Sequence, residues 1–339
     1  MDNKKNFELT TETRKMFGRT LFRIKALKSF NDVKVGDLGG FIEKEENLSE
    51  NAWVYGEACV YGNARIFGNA RICGDARVYE NACIYGNAWV YGDARIYGDV
   101  EIYGNARIYG NARIYGDARV YGDARVYGDA EISGDARVYE NARVYDEARV
   151  YGNAWVCENT WVYDDARVYG NARVYGNARI YENAWVFGNA RIYGEARVYG
   201  DAEISGNAWV YGNAWVFGDA EISGNAWVYG EAEISGDACI NGNMKICDAA
   251  DLSNNNDYVY FNCLGSSLTF FKCKDIHIHV SWDDNTTTFI DDSFDGSLYA
   301  FEKKVEEKLQ NNKYDKYAKG YLPCIEIVKI HFGLTDDEV

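Results

Sequence analysis

The sequence predicts an all-β fold, a three-sided parallel β-solenoid with about 18 residues in each turn. The prediction depends on residues 48–252, where an aliphatic residue recurs at every sixth position from Leu48 to Leu252. Four residues after each aliphatic one stands an alanine in nearly every copy, with Val100 and Thr160 as exceptions. No insertion interrupts this phase, although a single extra residue would turn every later inward side chain outward.

Each hexad reads as a short strand followed by a corner. In the copy from Ile108 to Arg113 the order is Ile-Tyr-Gly-Asn-Ala-Arg. Period-two alternation points alanine and the aliphatic residue inward and points arginine and tyrosine outward. Val and Ile suit a pleated backbone, and the spacing of three and four that indicates a helix is absent. Gly with Asn or Asp favours a corner because these residues tolerate positive φ.

This tandem pattern resembles the hexapeptide-repeat family of left-handed parallel β-helices. The left hand follows from the resemblance alone, and a right-handed solenoid of the bactofilin type stays open. Members of the family often transfer acyl groups from CoA, as trimers, at clefts between turns. That chemistry generally uses a histidine base and an outward loop, but this chain has no histidine before His277 and no loop within the hexads. We therefore expect no enzyme, no catalytic residue and no cofactor, with a CoA-dependent acyltransferase as the alternative.

The regular array separates two different terminal segments. We expect an N-terminal β cap over residues 1–47, the β-helix over 48–252 and a small C-terminal α+β domain over 253–339. A cap is expected because an open β-helix end exposes unpaired backbone groups. Within it, residues 1–20 read as a frayed or helical lead-in and Leu21–Phe30 as a strand. Residues 30–43 resemble the leader of bacterial and prophage hexapeptide proteins, some labelled acetyltransferases and others polymer-forming.

The C-terminal segment predicts three strands, a polar loop and two helices. The strands are expected over Asp257–Leu264, Leu268–Cys273 and Ile276–Val280, the loop from Asp283, and the helices over Ser297–Gln310 and Tyr317–Phe332, with Pro323 in the first turns of the second. Segments 268–275, 298–305 and 316–322 resemble a domain that follows such repeats in phage and prophage proteins.

The composition restricts the classes of partner and the compartment. The formal net charge is −16, which argues against nonspecific binding to nucleic acid or to anionic membranes. The start lacks a secretion signal, and no apolar stretch reaches transmembrane length. The nine cysteines are odd in number and form no Cys-x-x-Cys pair, which favours reduced thiols. We therefore expect a cytoplasmic protein of a bacterial host.

The outward positions carry columns of like residues. Residues 18 apart should stack, which gives one ladder of Arg77, Arg95 and Arg113 and another of Arg107, Arg125 and Arg143. We expect the tyrosine two residues after each arginine to relieve the repulsion by cation–π stacking.

The surface changes after Arg197, because no basic residue follows until Lys245. In this interval outward glutamates and tryptophans take over, and the 18-residue rule pairs Glu203 with Glu221, Trp209 with Trp227, and Trp215 with Glu233. Exposed tryptophan is enriched at binding hot spots, and clustered apolar surface often marks an interaction site. These six residues are the candidate protein-binding site, although tryptophan that merely covers its side of the turn is the competing interpretation.

One pair of histidines has metal-ligand spacing. His277 and His279 lie on one face of a predicted strand and could share a metal with Cys263, Cys273 or Asp275 as a third ligand. Two surface or cap-facing histidines are the favoured interpretation, so no metal is expected.

Taken together, these patterns predict a noncatalytic structural or interaction protein, phage- or prophage-encoded, whose solenoid presents a surface to a protein partner. Direct nucleic-acid binding and a membrane partner are not expected. An acidic nucleic-acid mimic is a further alternative, and a homo-oligomer, or a filament joined through the turn ends, stays open.

Overall fold

The structure, a computed structural model, describes residues 5–247, 249–263, 266–274, 278–284, 293–311 and 316–334. The chain forms two compact units, Met1–Asn183 and Ala184–Val339. Together the units contain about 12 turns of a parallel β-solenoid, with successive strands of a sheet roughly 18 residues apart, and a small domain of two helices and an antiparallel sheet. The predicted all-β solenoid is confirmed.

The first unit begins with an antiparallel cap of three strands, β1 (Phe7–Met16), β2 (Arg19–Ala26) and β3 (Leu38–Ile42). A 3-10 turn at Glu45–Asn47 follows. For the described residues of the lead-in, the expectation of frayed or helical structure is wrong, because the threonine-rich segment of β1 has the β-branched side chains that favour a strand. Strand β3 continues the cap into the solenoid, since Phe41 pairs in parallel with Cys59.

The solenoid of the first unit consists of two-residue strands that begin at every sixth residue, from β4 (Trp53–Val54) to β25 (Arg179–Ile180). Every third strand belongs to the same parallel ladder, so the unit has three sides. Pairing joins each residue to the one 18 positions later, as Arg107 to Arg125 and Ile108 to Val126. The predicted arginine ladders are therefore present.

The inward columns of valine, isoleucine and alanine are completely buried, as at Ile108 and Ala112. Thr160 stands where alanine is expected and is also fully buried. Its hydroxyl donates to the carbonyl oxygen of Cys157 at 2.6 Å, so the polar group is not left unpaired in the core.

Each corner depends on two consecutive residues, a glycine and the Asn or Asp that follows it. Glycine takes the positive φ, as at Gly110 with φ +70, where an added Cβ would lie 2.9 Å from the carbonyl oxygen of Gly128. The following Asn or Asp instead extends a ladder of side-chain hydrogen bonds, as where Asn105 Nδ2 donates to Asp123 Oδ1 at 2.9 Å. The corner was predicted, but its amide ladder was not.

The outward aromatic rings stack on one another along the turns. Tyr79 and Tyr97 lie parallel with ring centroids 5.0 Å apart, and Tyr103 and Tyr121 repeat this at 4.8 Å. The arginines find aromatic partners in tryptophan, as where Arg137 and Arg173 lie on the two sides of Trp155, each 4.9 Å from a ring centroid. The expected arginine–tyrosine stacking is thus replaced in these columns by tyrosine–tyrosine and arginine–tryptophan stacking.

The second unit continues the pattern from β26 (Trp185–Val186) to β37 (Asp251–Leu252), again with a two-residue strand at every sixth residue. Its ladders are β26-β29-β32-β35, β27-β30-β33-β36 and β28-β31-β34-β37.

The small domain follows the last turn of the second unit. Its sheet runs in the antiparallel order β38 (Tyr258–Cys263), β39 (Ser266–Lys272), β40 (Ile278–Asp284) and β41 (Ser293–Ser297), followed by helices α1 (Leu298–Asn311) and α2 (Lys316–Phe332). Phe270, Phe301 and Tyr321 are buried together at its centre.

Three expectations for this domain need correction. Strand β41 was not predicted, and β40 runs through Asp284 where a polar loop was expected. Both differences follow from strand pairing. β40 and β41 pair antiparallel, from His279 opposite Ser297 to Asp283 opposite Ser293, so each strand provides backbone hydrogen-bond partners for the other. Pro323 lies inside α2 on an exposed position, beyond the first turn where proline is best tolerated.

Cys59, Cys73 and Cys157 carry free thiols. Among the described residues, no helix has the length and apolar character needed to cross a membrane.

Candidate functional site

The structure arranges the six candidate residues as three in-register pairs: Glu203 with Glu221, Trp209 with Trp227, and Trp215 with Glu233. The 18-residue rule predicted each pair. The pairs belong to three different ladders, because consecutive hexads occupy consecutive sides of the turn. The six residues therefore do not form one flat face.

The tryptophan pair forms a stack with a cation at each end. The rings of Trp209 and Trp227 are parallel within 4° and their centroids lie 5.0 Å apart. Arg191 lies 4.7 Å from the Trp209 ring and Lys245 lies 5.2 Å from the Trp227 ring. Cation–π attraction at both ends fixes the two indoles in place on the strands.

The glutamate pair places two like charges side by side. Glu203 and Glu221 are direct neighbours in their ladder, and the residues next to them there are Trp185 and Cys239. Like charges directly opposite each other destabilise a sheet. Within the described residues of this ladder, no cation compensates the two carboxylates.

The glutamate and tryptophan pairs flank the same corner. Residues 203–209 and 221–227 have the identical sequence Glu-Ile-Ser-Gly-Asn-Ala-Trp, so two successive turns present the same groups. Serine stands here where most hexads have tyrosine, and across the corner Asn207 Nδ2 donates to Asn225 Oδ1 at 3.0 Å. We call this surface the Glu/Trp corner, defined by Glu203, Ser205, Trp209, Glu221, Ser223 and Trp227. The exact repetition at 18 residues is the sequence signal for it.

The third candidate pair lies on another side of the second unit. Trp215 is 39% exposed and has Arg197 at 4.7 Å over its ring. Glu233 forms an ion pair with Lys274 at 2.9 Å. Since the small domain already engages Glu233, this pair is separate from the Glu/Trp corner.

The first unit contains an aromatic cleft that the sequence did not single out. It has a volume of about 530 Å³ and is lined by Trp89, Tyr91 and Tyr109, among others. Trp89 and Tyr91 are 42% and 56% exposed. Tyr91 tilts 63° from Tyr109, so the parallel stacking of the other tyrosine columns is broken here. The cleft could not be predicted from the sequence, because the hexad around Tyr91 has the same pattern as those whose tyrosines stack in parallel.

A mixed cluster of potential ligands lies between the last turn and the small domain. Cys247, His279 and Asp295 place their ligand atoms within 4.8 Å of one another. Cys247 Sγ lies 3.0 Å from Asp295 Oδ1 and 3.7 Å from His279 Nε2, and the same Asp295 oxygen contacts His279 Nε2. Of the expected metal ligands whose side chains the structure describes, His279 takes part and Cys273 does not. His277 and Asp275 lie outside the described residues.

The surroundings of the cluster stabilise a carboxylate. Tyr229 lies one turn before Cys247 and its hydroxyl donates to Asp295 Oδ2 at 3.4 Å. Burial raises the pKa of Asp295, but hydrogen bonds from His279, Cys247 and Tyr229 outweigh burial and hold that pKa below its usual value. Burial also raises the pKa of the Tyr229 hydroxyl. A thiol, an imidazole and a carboxylate can together hold a divalent ion.

Comparison with known families supports the repeat architecture. A family model described as "YdcK Beta solenoid repeat" matches residues 70–86, 100–116, 106–121, 112–128, 142–158 and 172–188. The chain is similar to that repeat, and with its parallel ladders it is a β-solenoid repeat protein. No curated protein matches the chain.

Proposed function

We propose that this chain is a noncatalytic interaction protein that presents the Glu/Trp corner to a protein partner carrying basic side chains. The observation that supports this most is the duplicated segment of residues 203–209 and 221–227, which places two parallel indoles and two stacked glutamates on the two sides of one corner. In the described part of their ladder, the glutamates have no cation as a direct neighbour. Tryptophan is among the residues that dominate binding energy at interfaces. Uncompensated carboxylates favour a partner of positive charge and repel acidic ones.

Rigidity adds to this proposal. The indoles stand on strands that pair with both neighbouring turns, since Trp209 pairs with Arg191 and Trp227 with Lys245. The corner between the carboxylates and the indoles is tied by the Asn207–Asn225 hydrogen bond. A surface held in one conformation before binding loses little conformational entropy when a partner docks.

The noncatalytic part of the proposal is supported by the unbroken hexads, which offer no inserted loop to shape a cleft for CoA. Acetyl transfer measured with the purified chain would contradict it. A phage or prophage origin is proposed on the resemblances of residues 30–43 and of the C-terminal segments, and the neighbouring genes test it.

The binding proposal is tested by the double substitution Trp209→Ala with Trp227→Ala. We expect the variant to lose the partner that the wild-type chain retains in affinity capture from the host. Binding should weaken by at least about 30-fold, since one hot-spot tryptophan alone contributes about 2 kcal/mol or more and such contributions are not additive. Light scattering on the purified proteins measures self-association in parallel.

Trp155→Ala is the control, because Trp155 is an outward tryptophan of the first unit that lies between Arg137 and Arg173 and does not belong to the Glu/Trp corner. It should keep the partner. Equal retention by the double variant and by wild type would refute the Glu/Trp corner as the binding surface.

A further inference from the structure

The cluster of Cys247, His279 and Asp295 brings together three segments of the second unit. Cys247 directly follows the last-turn strand Lys245–Ile246, His279 lies on β40 and Asp295 on β41. Cys247 is fully buried, whereas the side chains of His279 and Asp295 are 12% and 44% exposed. The cluster therefore has a closed side at the thiol and an open side at the carboxylate.

Cys247 occupies the end of an aromatic column. Residues at this position in the preceding turns are Tyr193, Tyr211 and Tyr229, which stack with centroids 4.8 and 5.1 Å apart. Where the next tyrosine would stand, the chain has a cysteine, and the ring of Phe271 packs on His279 at 5.0 Å. The buried thiol of Cys247 thus lies against the imidazole of His279, with the rings of Tyr229 and Phe271 nearby.

The geometry distinguishes a ligand set from a nucleophile relay. In a relay the carboxylate holds one ring nitrogen of the histidine while the nucleophile uses the other. Here Cys247 Sγ and Asp295 Oδ1 both approach the same atom, His279 Nε2. The carboxylate thus occupies the nitrogen that would have to accept the thiol proton. The three donor atoms lie within 4.8 Å of one another, which is close enough for all three to bind one metal ion when the carboxylate withdraws from the imidazole.

We propose that Cys247, His279 and Asp295 bind a zinc ion at the junction of the last solenoid turn and the small domain. A thiolate, an imidazole and a carboxylate are the three ligand types that zinc takes in proteins. From zinc bond lengths, a sulfur and a nitrogen on one tetrahedral ion should lie about 3.6 Å apart, and Sγ and Nε2 are 3.7 Å apart. The Asp295 oxygen lies closer than this to both atoms, so it has to withdraw from them when the ion binds.

The proposed site has two consequences. It ties Cys247 of the last turn to β40 and β41 through one ion, so zinc stabilises the docked small domain. Three protein ligands leave the fourth position to a water molecule on the open side beside Asp295.

Zinc binding is measured on the full chain after removal of metal with a chelator. We expect one equivalent of zinc per chain by elemental analysis, and a higher melting temperature when zinc is restored. Cobalt in place of zinc should give a thiolate-to-cobalt charge-transfer band in the near ultraviolet. Cys247→Ser should abolish that band. His279→Gln should weaken zinc binding by more than about 100-fold, because loss of a ligand should cost more affinity than loss of a residue that only hydrogen-bonds to a ligand.

Two further variants separate metal ligation from packing. Asp295→Asn keeps an oxygen acceptor for the hydrogen bonds, so it should fold as wild type by circular dichroism yet bind zinc at least about tenfold more weakly. Cys239→Ser, a partly exposed thiol near the same end, should keep the full equivalent. Absence of zinc from the metal-treated wild type, or equal zinc content in Cys247→Ser, His279→Gln and wild type, would overturn the proposal.

Discussion

At the scale of single residues, the carboxyl group of Asp257 shows how hydrogen bonding outweighs burial. Its side chain is nearly buried, and Lys272 Nζ donates to it at 2.6 Å. The backbone N–H groups of Ser253 and Asn254 donate at 2.9 and 3.0 Å. Burial raises the pKa of Asp257, but these hydrogen bonds outweigh burial and hold the pKa below its usual value. This carboxylate therefore connects the segment after the last turn, at Ser253 and Asn254, to Lys272 of the small domain.

We predict that Asp257→Asn lowers the free energy of unfolding by about 2 kcal/mol at pH 7. The folded pKa lies below the unfolded value of about 3.9, so the contribution of Asp257 is present above pH ~4 and is lost as the pH falls through the folded pKa. The difference between variant and wild type should therefore shrink in acid. Urea unfolding across pH measures it, with exposed Asp237→Asn as control. A difference that is constant with pH would contradict this assignment.

Sequence reasoning reached part of the candidate sites at this scale. The pairing of Trp209 with Trp227 and of Glu203 with Glu221 followed from phase alone, because a strict repeat fixes the neighbour of every outward residue. His279 was recognised by its strand spacing. Its partners could not be predicted in this way, because Cys247 belongs to the hexad repeat and Asp295 to the small domain, where no repeat relates the two positions. They come together because the small domain packs on the last turn.

At the scale of elements, the corners explain why the solenoid tolerates no ordinary residue at most glycine positions. A side chain at Gly110 would have to adopt φ +70 and would meet the backbone of Gly128 in the next turn. Some corners nevertheless carry an acidic residue, such as Glu140 with φ 58. Backbone strain of this kind is held in place by the ladders on both sides.

We predict that Gly110→Ala destabilises the first unit by about 1–2 kcal/mol, because it combines an unfavourable φ with a close backbone contact. Glu140→Gly is the matched control at a corner of the same kind and should change the free energy of unfolding by less than about 1 kcal/mol. Denaturant midpoints measure both. Equal destabilisation by the two variants would show that corner conformation does not decide stability here.

The elements that the sequence predicted well are those that the repeat enforces. Every two-residue strand follows from the aliphatic phase, whereas β1 and β41 lack such a pattern. Strand β41, with the sequence Ser-Phe-Asp-Gly-Ser, has little strand propensity of its own. It forms because β40 offers an unpaired edge with which it can pair. The sequence of β41 alone does not show that such an edge lies beside it, so the strand could not be predicted.

At the scale of the whole molecule, one rule connects the fold to the candidate sites: residues 18 apart are neighbours. The rule stacks Trp209 on Trp227, sets Glu203 beside Glu221 and puts Cys247 one turn after Tyr229. In a solenoid, each repeat contacts mainly the repeats before and after it. A change that preserves the phase should therefore be far less harmful than a smaller change that breaks it.

The most direct test of this rule is the urea midpoint of two deletion variants in the first unit. Removal of residues 108–125 joins Arg107 to Val126, which restores the hexad phase and the ladder partners, so we predict cooperative unfolding with a midpoint close to that of wild type. Removal of residues 108–116 deletes half as much but places Asp117 at an inward position, and we predict loss of cooperative unfolding. Loss of cooperative unfolding in the 18-residue deletion, or a wild-type midpoint in the nine-residue deletion, would contradict the 18-residue turn.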